Sequence, residues 1–126
     1  MPTEVSSLWP ADFGTLAVRT PVSILREQGA ALGRQTSNIV AGRVVTEGSP
    51  NFVHRFLLYC APLGYQTELL TIRHGIELYP VSIDSIAPGG TKQAVNEEQL
   101  QQYLKEIFAL DKTKKMVAAL LAQSKE

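Results

Sequence analysis

Apolar residues recur along this chain in two rhythms. From Thr20 to Arg34 they keep helical spacing: Val22, Leu25, Gly29 and Leu32 share one side, with Ile24 and Gln28 beside them. Arg26, Glu27 and Arg34 fall on the other side. Thr20-Pro21 is a helix start, because threonine oxygen can accept from the free backbone N–H groups and proline at the first position has no N–H to leave unpaired. Gly29 inside this helix costs about 1 kcal/mol relative to alanine and marks a close approach to another element. Gly33 supplies a stop.

From Asn38 to Asp84 the rhythm shortens. Four β-rich runs, Ile39–Thr46, Phe52–Ala61, Tyr65–Arg73 and Ile76–Ile83, are separated by Gly48-Ser49-Pro50-Asn51, Pro62-Leu63-Gly64 and His74-Gly75. Connections this short cannot hold a parallel crossover, so the runs predict an antiparallel meander. Residues 85–95, with Pro88, Gly89 and Gly90, read as a loop. Asn96, with Gln99 three residues on, has the form of a capping box and opens a second helix carrying Leu100, Tyr103, Leu104, Ile107 and Phe108. Asp111 caps a third, carrying Met116, Val117, Leu120 and Leu121.

The expected fold is therefore α+β. A four-stranded antiparallel meander over 38–84 has one N-terminal helix (20–34) and two C-terminal helices (96–122) packed on one face. Residues 1–19, interrupted by Pro2, Pro10 and Gly14, form an arm. The length of 126 residues fits a single domain, since halves of it would each fall near the lower limit for an independent core.

The turns also set a register. They place Val44 near His54, Leu58 near Glu68, Leu57 near Leu69, Ile72 near Glu77 and Leu70 near Tyr79. One face then holds Val40, Phe56, Leu58, Cys60, Leu70, Ile72, Val81 and Ile83 under the helices, together with His54, Glu68, Glu77 and Tyr79. The opposite face holds Arg43, Arg55, Leu57, Tyr59, Leu69, Arg73 and Leu78. That second face is too apolar to sit wholly in water, and such patches usually mark an interface. Either a partner covers it, most simply a second copy of the chain, or the arm does so with Trp9 and Phe13.

Charge and cysteine content narrow the partners. Lys+Arg 12 balance Asp+Glu 12, which argues against a generic polyanion binder and so against nucleic acid. The single cysteine, Cys60, permits no internal disulfide and favours a reducing compartment. The first nine residues carry no Lys or Arg, and no apolar run approaches the roughly 18 residues of a membrane span. The expected location is cytoplasmic, with no membrane contact.

Chemistry-bearing residues are few. Cys60 lies six residues from His54 on one strand, about 20 Å at ordinary strand rise, so the two cannot pair within that strand. Cys60 reads as buried and inert. His54 with His74-Gly75-Ile76-Glu77 is the only metal-like set. It lacks paired ligand spacing, and neither metal nor cofactor is expected.

Glu68 and Glu77 on an apolar face need a partner such as Arg26, a wet rim, or a raised pKa. With His54 and Tyr79 they would be the polar groups of a pocket between sheet and helices. Arg43, Arg55 and Arg73 line up across the other face, where an anion, an acidic partner or solvent must relieve them. Lys112, Lys114 and Lys115 read as a solvated helix start. Gly89-Gly90-Thr91-Lys92 lacks Walker spacing.

Several segments resemble an uncharacterised family of small bacterial proteins, a domain of unknown function. They are residues 20–28 (TPVSILREQ), 74–81 (HGIELYPV), 105–108 (KEIF) and 119–124 (ALLAQS), with Lys112-Thr113 between the last two. The likeness spans 20–124 and implies a compact bacterial domain, with no catalytic or binding residues to carry over.

No coherent catalytic set is present. The expected function is a non-enzymatic protein-interaction module that forms a homodimer, or binds another protein, through the open sheet face. The alternative is a small-molecule binder or enzyme with a pocket between sheet and helices.

Overall fold

The computed structural model describes residues 7–86 and 90–126. The first six residues of the arm, and Pro88 and Gly89 of the 85–95 loop, lie outside them. Helix α1 (Pro21–Gln35) opens as its sequence dictates: Thr20 Oγ1 accepts from the Ser23 N–H at 3.2 Å, and Pro21 occupies the first position. It runs two residues past Gly33. Ser37 and Asn38 then take left-handed backbone conformations that turn the chain into the sheet.

The sheet is an antiparallel meander of five strands, not four. They are β1 (Val40–Glu47), β2 (Phe52–Cys60), β3 (Tyr65–His74), β4 (Val81–Ser85) and β5 (Lys92–Ala94), in spatial order β1-β2-β3-β4-β5. The fourth strand begins at Val81 rather than Ile76. Pro80 has no N–H for a ladder bond, and residues 75–80 instead form a loop with Ile76 and Glu77 exposed. Ile72 therefore pairs with Ile83, and Leu70 with Ser85, so neither Glu77 nor Tyr79 belongs to the sheet. The fifth strand is three residues long and is held through Ala94, which is buried opposite Val81.

Two registers move. In the first hairpin Val44 pairs with Phe56 and His54 with Thr46, a shift of two residues that keeps every face. In the second, Leu57 pairs with Glu68 and Phe56 with Leu70, and Leu69 is the extra residue of a β-bulge. The bulge reverses two expectations. Glu68 joins Leu57 on the outer face, and Leu69 turns into the core at 2% exposure.

Helices α2 (Glu97–Phe108) and α3 (Asp111–Gln123) complete the fold. Asn96 Oδ1 accepts from Gln99 N–H, and Gln99 Oε1 reaches back to the Val95 N–H, both at 2.9 Å. Asp111 is the first residue of α3 rather than its cap, which falls on Leu110. All three helices contribute to one core on the inner face. Ile24 and Leu25 of α1, Leu100, Leu104 and Ile107 of α2 and Leu120 of α3 meet Phe56, Leu58, Cys60, Leu70, Ile72 and Ile83. Gly29 allows α1 to touch the sheet backbone, since a Cβ there would lie 2.5 Å from the Gly42 carbonyl oxygen. No helix among the described residues is long and apolar enough to cross a membrane.

Candidate functional site

The outer sheet face resolves its own charges. Arg55 pairs with Glu47 and lies 3.8 Å from Glu68, and Arg73 pairs with Asp84. Arg43 sits 4.4 Å over the Tyr59 ring and reaches Gln66 at 3.5 Å. Thr71 donates to Glu68, and Thr91 to Asp84. The Thr91 hydroxyl first, and Arg73 after it, hold the Asp84 carboxyl below its ordinary range against some desolvation. Arg55 and Arg73 thus have carboxylate partners within the chain, and Arg43 rests on the Tyr59 ring. Of the proposed interface residues, Arg43, Arg55, Leu57, Tyr59 and Arg73 share this face, Leu69 is in the core and Leu78 is half-buried in the 75–80 loop.

The expected polar pocket does not assemble. Glu68 lies on the outer face, away from Arg26, and Glu77 is exposed in its loop. Tyr79 is half-buried and donates to the Arg19 carbonyl at 3.1 Å. Burial and the nearby Glu97 carboxylate, opposed by Arg19, push its phenol up to about 12.

His54 alone remains on the inner face, and its partner is His74. The two Nε2 atoms are 2.9 Å apart, His54 Nδ1 lies 2.9 Å from Thr46 Oγ1, and His74 Nδ1 lies 2.7 Å from the Gly75 carbonyl oxygen. Phe52 stacks on both rings, with centroids 6.4 Å from His54 and 5.3 Å from His74. The carbonyl can only accept, so His74 carries its proton on Nδ1 and accepts at Nε2 when neutral. His54 then donates from Nε2 and accepts the Thr46 hydroxyl at Nδ1. Every polar atom of the chain Thr46–His54–His74–Gly75 is satisfied. The sequence offered a signal for this pair, since Leu70, Ile72 and His74 keep one alternation on the face that carries His54. Reading His74 as a turn residue hid it.

Among the described residues no three of His, Cys, Asp and Glu come together as a metal cluster. Cys60 is fully buried, with Sγ 4.0 Å from the Leu120 carbonyl oxygen.

A largely apolar concavity lies elsewhere, in the helix layer. Between α1 and α3 a groove of about 450 Å³ opens over the sheet. Ala31 and Leu32 form one wall, Val117, Ala118 and Leu121 the other, Phe56, Leu58 and Leu69 the floor, and Phe108 one end. Its polar rim consists of Gln28, Gln35, Thr113 and Lys114. The bulge at Leu69 helps to make this groove, so its floor could not be read from simple strand alternation.

The arm presents the matching chemistry. Leu8 is 92% exposed, Trp9 75%, Phe13 76% and Leu16 74%. Asp12 Oδ1 accepts from the Gly14 N–H at 2.8 Å, with Gly14 at φ +76°, and this turn brings the Trp9 and Phe13 ring centroids to 5.9 Å. The described part of the arm, residues 7–19, therefore does not cover the outer sheet face. Comparison with protein-family models, curated proteins and solved structures finds no match.

Proposed function

We propose that this protein is a non-enzymatic protein-interaction module that acts as a homodimer, in the cytoplasm of a bacterium, within the small family its segments resemble. One observation carries the reading: the arm holds Leu8, Trp9, Phe13 and Leu16 almost wholly in water, beside a folded core that needs none of them. An apolar cluster of this kind is costly in solution and is relieved by association. The outer sheet face is the weaker candidate surface, because its arginines already have partners in the same chain.

Light scattering on the full chain at micromolar concentration tests this. A mass of twice the monomer is expected, and a strict monomer over the whole concentration range contradicts it.

A second reading is favoured by the groove itself. Its 450 Å³ volume and apolar floor fall within the range of about 300–1,000 Å³ typical of small-molecule sites. Here the ligand would be apolar, since His54, Glu77 and Tyr79 lie away from the lining. Saturable quenching of Trp9 by a fatty-acyl or aromatic probe does not separate the readings, whereas a thermal shift by such probes in a chain carrying Trp9→Ser and Phe13→Ser supports this one alone.

A further inference from the structure

We infer that the groove between α1 and α3 receives the arm of a second copy, with Trp9 and Phe13 as the inserted pair. This rests on the self-association proposed above and adds its location.

Four observations converge on it. The groove is apolar on both walls and floor, and among the described residues no other element of the chain covers it. The arm is apolar, and its Asp12–Gly14 turn already holds the two rings together, which lowers the ordering cost of inserting them. The charges are complementary, because the first eighteen residues carry Glu4 and Asp12 with no Lys or Arg, while the groove rim carries Lys114, 3.9 Å from the exposed Asp111, and no acid.

The fourth observation concerns the arm's root. Arg19 is tied to Glu27 of α1 by its side chain and to Glu97 of α2 through its N–H, and the Tyr79 hydroxyl donates to its carbonyl. The root is thus fixed toward α2, across α1 from the groove. Leu8, Trp9, Phe13 and Leu16 stay exposed rather than enter their own groove, and reciprocal exchange of arms between two molecules closes as a two-fold dimer. Trp9 and Phe13 from two arms bury about 150–250 Å² each, so the four rings and the grooves that receive them would remove on the order of 1,000 Å² from water, the lower size of a specific and concentration-dependent interface.

Trp9 is the only tryptophan of the chain, so its emission reports on the arm directly. The test follows that emission and the sedimentation mass of the full chain across a dilution series. The same series is run on Ala118→Arg, which places a charge in the exposed groove wall, and on Leu57→Ser, which alters the outer sheet face. The expected result is a blue shift that grows with the dimer fraction, with both lost in Ala118→Arg through at least about a tenfold weaker dimer. Leu57→Ser should behave as the parent. A circular-dichroism melt confirms that each variant is folded. A dimer whose Trp9 emission stays red, or one insensitive to Ala118→Arg, overturns the groove while leaving self-association standing. A monomer with blue emission places the arm in its own groove and overturns the exchange. A monomer with red emission overturns both.

Discussion

His54 and His74 face each other across β2 and β3 with their Nε2 atoms 2.9 Å apart, and a single proton lies between them. Burial, then the neighbouring His74 and Arg26, push His54 down from its ordinary 6.5 to about 4. Burial disfavours the charged form of His54, so this ring is held neutral. Unfolded, His54 binds its proton near 6.5, so between about pH 6.5 and pH 4 the unfolded chain holds more protons than the folded one. The stabilisation is complete above that window and is lost as the pH falls through it.

Urea unfolding at about pH 7 and about pH 4.5 should therefore show a loss on the order of 2 kcal/mol attributable to this site. His54→Gln keeps an N–H donor for His74 but cannot titrate. Its stability should fall less between the two pH values than that of the parent. An identical slope in the two proteins would mean that other groups govern acid unfolding.

The β-bulge makes a sharp contrast between neighbouring leucines. Leu69 is 2% exposed on the groove floor, whereas Leu57 is only half-buried on the outer face. Leu69→Ala should cost about 2–5 kcal/mol, and Leu57→Ala clearly less. Chemical denaturation of the two variants measures the difference. Equal costs would contradict the register described here.

How much of this was legible follows from what each signal depends on. Helix α1 and its cap, the first three strands and the Asn96–Gln99 box all came from local chemistry, namely Thr20-Pro21, the period-two runs and the turn residues. The bulge was not legible, because Leu69 and Leu70 are chemically identical and alternation cannot say which one is extra. The fourth strand was misplaced because Ile76, Leu78 and Tyr79 have strand-like composition, although Pro80 denies them a ladder. The fifth was missed because three residues carry too little pattern. The groove depends on how three helices space themselves over the sheet, which no single segment encodes.

Gly29 tests the packing of α1 on β1. Alanine would raise helix propensity by about 1 kcal/mol, but its Cβ would sit 2.5 Å from the Gly42 carbonyl oxygen, a backbone atom that cannot swing aside. Sterics should win, and Gly29→Ala should destabilise by about 1–3 kcal/mol in a thermal melt. A gain in stability would show that helix and strand are further apart.

The central claim is that the exposed arm drives self-association. Sedimentation equilibrium of the full chain against the same chain carrying Trp9→Ser and Phe13→Ser tests it most directly. The fold should survive both changes, because neither side chain enters the core. The account predicts a dimer for the parent and a monomer for the variant at the same concentration. A variant that dimerises as tightly as the parent would contradict it.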